Sequence, residues 1–545
     1  MVEHNFMHKT KDLIDNLKRI CADNWLGNDG NEFKIITQVF LYKFMNDKFW
    51  HEVKLLDKKI ADSDNWEADI SKYSDEQYNY LMMKMNADSA RLKSEHFISS
   101  LYNRLNEDQF WKLLDDTLRD IGKINAEIFS VSTEDGTKIQ LFDELTKYLV
   151  EPGKRDNFAR AIVNQLVEFS FEEIFHQKFD FFSTIFEYLI KDYNKDGGGK
   201  YAEYYTPHAV AKIMSAIMVD TPVKNVSCYD PSAGSGTLLM NLAHAIWEDR
   251  CTIYSQDISQ KSTGLLRLNL ILNNLIHSIP NIVKWNTIKD PHHKAWGKLM
   301  KFDYIVSNPP FKLDFSDYRD DLDSKENSER FFAGIPKITP KSPDKMAIYL
   351  LFVQHIMYSL SATGRAAIVV PTGFITAQSG IEFKIREKLV ESKMLRWVVS
   401  MPSNIFATTG TNVSILFLDK TNLKWDIVLV DASKLWSTIK DGKNQKTVLS
   451  PEEEQKIIDA FHNHKAEENF SVVVSYDDIK GKNYSLSAGQ YFEIKIEYTE
   501  ISQEEFSIKM NQYESRLSVY FQESKTLEKE IILNLKKLKI WIELL

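Results

Sequence analysis

The chain has 545 residues, enough for two or three domains and a large core, and its hydrophobic share of 43% is ordinary for a soluble globular protein. Against 77 acidic residues it sets only 68 basic ones, a net charge of −9, so it lacks the cationic excess that tight, unaided binding to a nucleic-acid backbone needs. Its cysteines, Cys21, Cys228 and Cys251, are isolated, which argues against a disulfide framework, a zinc site or redox chemistry; no metal ligand is assigned. No apolar run is long enough to span a bilayer, and Met1-Val2-Glu3-His4-Asn5 lacks the pattern of a secretion signal, so a cytoplasmic protein with no membrane contact is expected.

Residues 1–150 place apolar side chains at helical spacing, as in Leu13, Leu17 and Ile20 and again in Ile36, Phe40 and Phe44, with no glycine-rich loop; an accessory helical domain is expected there. A further helical stretch, about Phe158 to Tyr193, ends in Asp196-Gly197-Gly198-Gly199-Lys200, which marks a boundary. From about 200 to 435, strand-like runs alternate with helical patterns. That rhythm predicts a doubly wound, Rossmann-like α/β domain whose ligands sit at the carboxyl ends of its strands.

Within it, Val226-Ser227-Cys228-Tyr229 reads as a strand, Asp230-Pro231-Ser232-Ala233-Gly234-Ser235-Gly236 as a glycine turn, and Thr237 to about Trp247 as a helix. Such a turn lets a ligand approach the backbone, and its exposed amides suit an anionic or zwitterionic group. The third glycine of the dinucleotide fingerprint is missing, Leu239 following instead, although a dinucleotide oxidoreductase fits the turn taken alone. Asp257 closes the next strand, Thr252 to Asp257, where a carboxylate either takes ribose hydroxyls or caps the helix that follows.

A third strand, Phe302-Asp303-Tyr304-Ile305-Val306-Ser307, runs into Asn308-Pro309-Pro310-Phe311. Asn308 Oδ1 and the Pro309 carbonyl can both accept from one planar amino group, Pro309 and Pro310 fix the backbone, and Phe311 offers a face for stacking. Two acceptors on one exocyclic amine draw its nitrogen toward pyramidal and free the lone pair, which is what methylating a nucleobase amine requires. The alternative is a strand ending in a proline-rich turn packed by Phe311. The polar, proline-bearing stretch Lys312 to Lys345 then breaks the α/β rhythm and is expected to be a lid or a disordered surface loop. Near the end, positions 506, 510, 513, 517, 520, 524, 527, 531, 534 and 538 alternate spacings of four and three, and eight of the ten are apolar, a seam that wants a helical partner or its own chain.

The glycine turn, the acid one strand later and Asn308 to Phe311 some seventy residues on resemble the S-adenosylmethionine-dependent amino-group DNA methyltransferases, in the motif order of their N6-adenine gamma class. Glu203-Tyr204-Tyr205-Thr206-Pro207-His208 is similar to the Glu-Phe-Tyr-Thr-Pro-Arg block of the modification subunits of type I restriction-modification systems. Ala366 to Pro371, Met401 to Phe406 with Thr408 and Gly410, and Asn483 to Ser487 with Gln490-Tyr491 resemble later blocks of those subunits, and Phe33 to Phe44 their helical domain. Departures are Ser232-Ala233 where many relatives have a cysteine, Trp285-Asn286-Thr287-Ile288 in place of Gly-Asp-Thr-Leu, and His208 for arginine.

The resemblance implies a methyltransferase fold with an N-terminal helical domain (1–150), a catalytic domain (151–495, core about 200–435) and a C-terminal helical tail for subunit assembly (496–545). It implies a chain that methylates N6 of a flipped adenine in double-stranded DNA, using S-adenosylmethionine. Asn308, Pro309, Pro310 and Phe311 are then catalytic. Glu203, Tyr204, Tyr205, Thr206, Pro207, His208, Asp230, Ala233, Gly234, Ser235, Gly236, Asp257 and Asn286 hold the cofactor. The implied partners are a specificity subunit bound by two copies of this chain, and a restriction subunit. N4-cytosine methylation and a non-catalytic scaffold are the alternatives.

Overall fold

The computed structural model describes residues 2–27, 30–63, 66–133, 136–175, 206–406, 412–422, 426–441, 444–492 and 502–543. They divide into two compact units, Met1–Phe492 and Glu493–Leu545.

The first unit is organised by a sheet. In chain order the strands are β1 (Val131–Thr133), β2 (Lys138–Ile139), β3 (Val226–Asp230), β4 (Cys251–Asp257), β5 (Ile282–Lys284), β6 (Lys294–Ala295), β7 (Lys298–Leu299), β8 (Phe302–Ser307), β9 (Leu360–Pro371), β10 (Leu395–Ser400), β11 (Val413–Asp419), β12 (Ile427–Asp431), β13 (Ser437–Asp441), β14 (Asn444–Val448) and β15 (Ser471–Val474). Eleven of them share one sheet in the order β15-β12-β10-β11-β9-β8-β3-β4-β5-β1-β2, while β6-β7 and β13-β14 are separate hairpins. From β9 through β8, β3 and β4 to β5 every pairing is parallel. β11 then runs antiparallel between β9 and β10.

Helices cover both faces, so β11, β12 and the second half of β9 read as almost unbroken apolar runs instead of alternating ones. Along β9, Ala367 and Val369 join one core while Ala366, Ile368 and Val370 join the other; along β11, Ile415 and Phe417 are separated in the same way from Leu416 and Leu418. The helices Thr237–Ile246 and Gln260–Leu272 supply the first face, Tyr349–Ser359 and Gly380–Glu391 the second. Gly364 lets β9 press against its neighbours: a Cβ there would stand 2.8 Å from the Phe302 carbonyl oxygen and 2.9 Å from the Ser361 nitrogen.

The N-terminal region is helical as the spacing predicts, with Val2–Asp23, Gly30–Leu56, Phe110–Ile124 and Arg155–Val167 as its longer helices. Phe40 and Phe44 pack edge-on to Phe171, with ring centroids 5.0 and 5.4 Å away. One feature departs from the helical reading. β1 and β2 form a hairpin that joins the sheet through parallel pairing of β1 with β5. Five strand residues are too few to establish a period-two pattern.

The stretch Lys312 to Lys345 is neither a bare loop nor a lid standing off the surface. Phe315, Leu322, Phe331 and Ile335 are buried with Ile288, Met346, Ile348, Leu351 and Phe352 in a core of their own. Buried Arg330 locks it in place: Nε donates to His355 Nδ1 at 3.0 Å, and its two terminal nitrogens donate to the carbonyls of Ile288 (2.9 Å) and Thr287 (2.7 Å). A second buried arginine, Arg386, donates to the carbonyls of Tyr484, Phe374 and Ala377, binding the Asn483 to Ser487 block to the segment after β9.

Among the described residues the second unit is a single helix, Gln503–Glu543, whose Phe506, Met510, Tyr513, Leu517, Tyr520, Leu527 and Ile531 are exposed. Among the described residues no helix is long and apolar enough to cross a membrane.

Candidate functional site

Because β3 and β8 are parallel neighbours, with Cys228 opposite Tyr304 and Tyr229 opposite Ile305, the segments leaving their carboxyl ends emerge side by side. The glycine turn and Asn308 to Phe311, more than seventy residues apart in sequence, thereby meet. Ser232 Oγ of the turn lies 2.8 Å from Ser307 Oγ, the last residue of β8.

The turn is held at each step. Asp230 Oδ1 accepts from Ser232 N at 2.9 Å, Gly236 N donates to the Ala233 carbonyl at 2.8 Å, and Thr287 Oγ1 donates to the Pro231 carbonyl at 2.6 Å. Asn269 Nδ2 donates to the Ser235 carbonyl at 2.8 Å. Gly234 and Gly236 have φ of +53° and +88°, and Gly236 caps the helix Thr237–Ile246. A Cβ on Gly236 would fall 2.3 Å from Leu266 Cδ1, so this residue must be glycine on both backbone and steric grounds.

Asp257, ending β4, reaches back across the turn: Oδ2 accepts from Gly234 N at 2.9 Å and Oδ1 from Ser259 N at 2.8 Å. Ser259, not Asp257, is the cap of the helix Gln260–Leu272. Burial pushes the Asp257 carboxyl up. Burial raises Asp230 to about 8, against the opposing Ser232 N–H, and the Asp257 charge adds to the rise. Among the described residues no lysine or arginine pairs with either carboxylate. Two buried acids beside a glycine turn suit a ligand that carries a cationic centre together with hydroxyls, the amides of Ser232, Ala233, Gly234 and Gly236 being taken by Asp230, Gln256, Asp257 and Ala233. S-adenosylmethionine has that chemistry, and the residues present fit it.

On the β8 side, Asn308 is half-buried, Pro309 buried and Pro310 exposed. Asn308 Nδ2 donates to Thr206 Oγ1 at 3.2 Å. Phe311 is half-buried, its ring 6.2 Å from and nearly perpendicular to that of Tyr349. Thr206 and Pro207 are buried, and His208 opens the helix His208–Met218 with a buried Nδ1 that has no hydrogen-bond partner among the described residues. Glu203, Tyr204 and Tyr205 lie outside the described residues, as do Thr408 and Gly410.

Asn286 occupies the expected position after β5, but its Oδ1 accepts from Ile288 N and Lys289 N, both at 3.0 Å, so it builds a local turn. Thr287, Asn269 and Arg330 were not singled out by the sequence reading. Their roles are made by contacts to backbone carbonyls, which leave no local pattern. A separate cavity of about 1260 Å³ opens between the helices Gly30–Leu56 and Gln260–Leu272 and the β1-β2 hairpin, lined in part by Lys34, Lys138, Lys261 and Lys284, and none of the described candidate catalytic or cofactor residues line it.

Comparison with known proteins follows the same lines. Residues 177–500 match the family described as N-6 DNA Methylase. The methylase subunit of the type I restriction enzyme MpnII from Mycoplasma pneumoniae is 29% identical over 503 residues, 86% of this chain and 87% of that one. The crystal structure of the type I restriction-modification system methyltransferase subunit from Streptococcus thermophilus superposes with a TM-score of 0.70 at 23% identity, over 89% of this chain and 99% of that chain. A chain from a structural study of the assembly and conformational transition of the type I R-M system reaches a TM-score of 0.50 at 18% identity, over 95% and 99%. The family match spans more than half of the sequence and contains both motifs, and the chain belongs to the N-6 DNA methylase family.

Proposed function

We propose that this chain is the modification subunit of a type I restriction-modification complex, and that it methylates the N6 amino group of adenine in DNA from S-adenosylmethionine. The observation that carries the reading is the meeting of the glycine turn and Asn308 at the ends of two adjacent parallel strands, bridged by Ser232 and Ser307.

In this reading a flipped adenine stacks on Phe311, and its two N6–H groups donate to Asn308 Oδ1 and the Pro309 carbonyl. Those acceptors hold the nitrogen with its lone pair directed at the incoming methyl. The cofactor, when bound, supplies a methyl made electrophilic by a positive sulfur that departs as a neutral thioether. The surplus N6 proton leaves after attack, along the hydrogen bonds to Asn308 Oδ1 or the Pro309 carbonyl, so no strong general base is needed. Asp230, Ala233, Gly234, Ser235 and Gly236 cradle the amino-acid end of the cofactor. Asp257, whose oxygens each retain acceptor capacity beyond one backbone N–H, takes the ribose. Glu203 through His208 complete the pocket, with Asn286 shaping its floor.

The accessory helical region (1–150), the catalytic region (151–495) and the C-terminal tail (496–545) divide the work, and the tail's exposed apolar seam is the docking element for the specificity subunit. Two copies of this chain per specificity subunit, a restriction subunit that joins them, and a cytoplasmic location complete the proposal. A net charge of −9 supports a division of labour in which the partner supplies most of the grip on duplex DNA.

The test is co-expression with a specificity-type subunit in a host lacking adenine methylation, followed by quantification of N6-methyladenine in hydrolysed DNA. Methyladenine that disappears with Asn308→Ala, in a complex that still binds S-adenosylmethionine, is the expected result. N4-methylcytosine in the same hydrolysate, or no methylated base from an intact and cofactor-bound complex, would overturn it.

A further inference from the structure

Thr206 stands in a block whose resemblance assigns it to the cofactor. Its hydroxyl is engaged elsewhere: Thr206 Oγ1 accepts from Asn308 Nδ2 at 3.2 Å. From this contact we infer that Thr206 is the positioning residue for the catalytic amide, fixing which end of Asn308 faces the target amine. The inference rests on the proposed role of Asn308.

An asparagine side chain presents two nearly isosteric ends of opposite polarity, and only the oxygen end can accept from an adenine N6–H. Rotation by 180° about χ2 would offer an NH2 group to an NH2 group, an unproductive pose. Nothing on β8 itself selects the orientation, because Ser307 Oγ is engaged with Ser232 Oγ. Thr206 selects it once its own proton is donated away from Asn308, because a hydroxyl free to turn could as well donate to Oδ1. Holding Nδ2 on one side turns Oδ1 to the other, and the β-branched side chain restricts χ1 of Thr206, so the acceptor is held rigidly.

Thr206 is buried, at 6% exposure, and it directly precedes Pro207, whose ring fixes the backbone, and the helix His208–Met218. That helix packs into the core through Val210, Ile213, Met214 and Ile217. The hydroxyl therefore stands two residues before a core-packed helix, on backbone restrained by Pro207. Because it serves Asn308 as acceptor, it keeps its own proton to donate. A second acceptor for that proton, on the protein or on a bound ligand, keeps Oγ1 an acceptor toward Asn308.

The test compares Thr206→Val, nearly isosteric but without the hydroxyl, with Thr206→Ser, which keeps it, and with Asn308→Ala, all in the complex with the specificity-type subunit. Single-turnover methylation at saturating cofactor and DNA is measured beside the S-adenosylmethionine Kd from calorimetry. Thr206→Val is expected to lower the turnover rate about 10- to 100-fold, the scale of a misplaced reacting group, while Kd changes less than about 3-fold, half a power of ten. Thr206→Ser is expected to recover most of the lost rate.

A Thr206→Val enzyme with undiminished turnover, or one whose only defect is a weaker Kd, would overturn the positioning role in favour of a plain cofactor contact. A Thr206→Ser enzyme as slow as Thr206→Val would do the same, since packing of the γ-methyl would then explain the loss. If the valine variant does not fold, Thr206→Ala against Thr206→Ser poses the same question. Asn308→Ala separates the levels: activity surviving in it removes the underlying reading, whereas activity lost in it but intact in Thr206→Val removes only this inference.

Discussion

Gly236→Ala isolates the physical demands of the glycine turn. At φ +88° an L-residue suffers the clash of its Cβ with neighbouring backbone, a cost of about 1–2 kcal/mol. The added methyl would also stand 2.3 Å from Cδ1 of Leu266, which is 1% exposed and cannot swing into solvent. Forcing one methyl into a packed core costs about 1–3 kcal/mol. Together the substitution should cost about 2–5 kcal/mol, a large part of the roughly 5–15 kcal/mol that holds a native fold. The two contributions separate in a Leu266→Ala background, where the distal atoms that clash are gone and the surviving Cβ sits at an ordinary 3.6 Å. Gly236→Ala should then cost only the backbone share, about 1–2 kcal/mol, leaving a coupling of about 1–3 kcal/mol between the sites. Urea denaturation followed by far-UV circular dichroism for the four proteins of the cycle measures each number. Equal costs of Gly236→Ala in the two backgrounds would refute the steric account, and no cost in either would refute the backbone one.

Asp230 ordinarily titrates near 4 in an unfolded chain and near 8 when folded, so the folded state holds its proton more tightly. Its stabilising contribution is complete below about pH 4 and is lost as pH rises to about 8, with a slope of up to about 1.4 kcal/mol per pH unit; Asp230→Asn should flatten melting temperature against pH across that window, and an unchanged profile would count against the buried acid. Arg330→Met strands the carbonyls of Thr287 and Ile288 and the ring nitrogen of His355, at about 2–4 kcal/mol. Limited proteolysis should then cut within Lys312 to Lys345, and equal protease resistance in wild type and variant would show that the segment's apolar core suffices alone. Leu517→Asp with Leu527→Asp, both exposed on the C-terminal helix, should abolish co-purification of the specificity-type subunit while leaving the S-adenosylmethionine Kd unchanged.

Strand, glycine turn and helix around Asp230 were legible in the sequence because each is a local pattern: an apolar run, φ-permissive residues, then helical spacing. β8 was legible to its exact bounds for the same reason. Lys312 to Lys345 was not, since Phe315, Leu322, Phe331 and Ile335 are irregularly spaced and buried one at a time, so no period announces the core they form. At Asn286 an amide suited to a ligand also closes a turn, through contacts to Ile288 N and Lys289 N that no local pattern announces. The contact of Asn308 with Thr206 spans about a hundred residues of chain and was beyond any local reading.

The strand order also bears on how this protein is made. One edge of the main sheet, β2 and β1, is synthesised in the first third of the chain and the other, β15, near residue 471, while β11 must enter between β9 and β10 after both exist. Until β11 has left the ribosome, β9, with its Ala366 to Val370 run, and β10, with Trp397, Val398 and Val399, present open edges, bare templates for pairing with another chain. The segment that carries Asn308 is translated before that gap closes. Synthesis therefore passes through a stage in which the reacting residues exist on an unfinished sheet, and chaperone capture or aggregation competes with completion there. Slowing translation just before residue 413 should lengthen that exposure and lower soluble yield, without any change in the finished molecule.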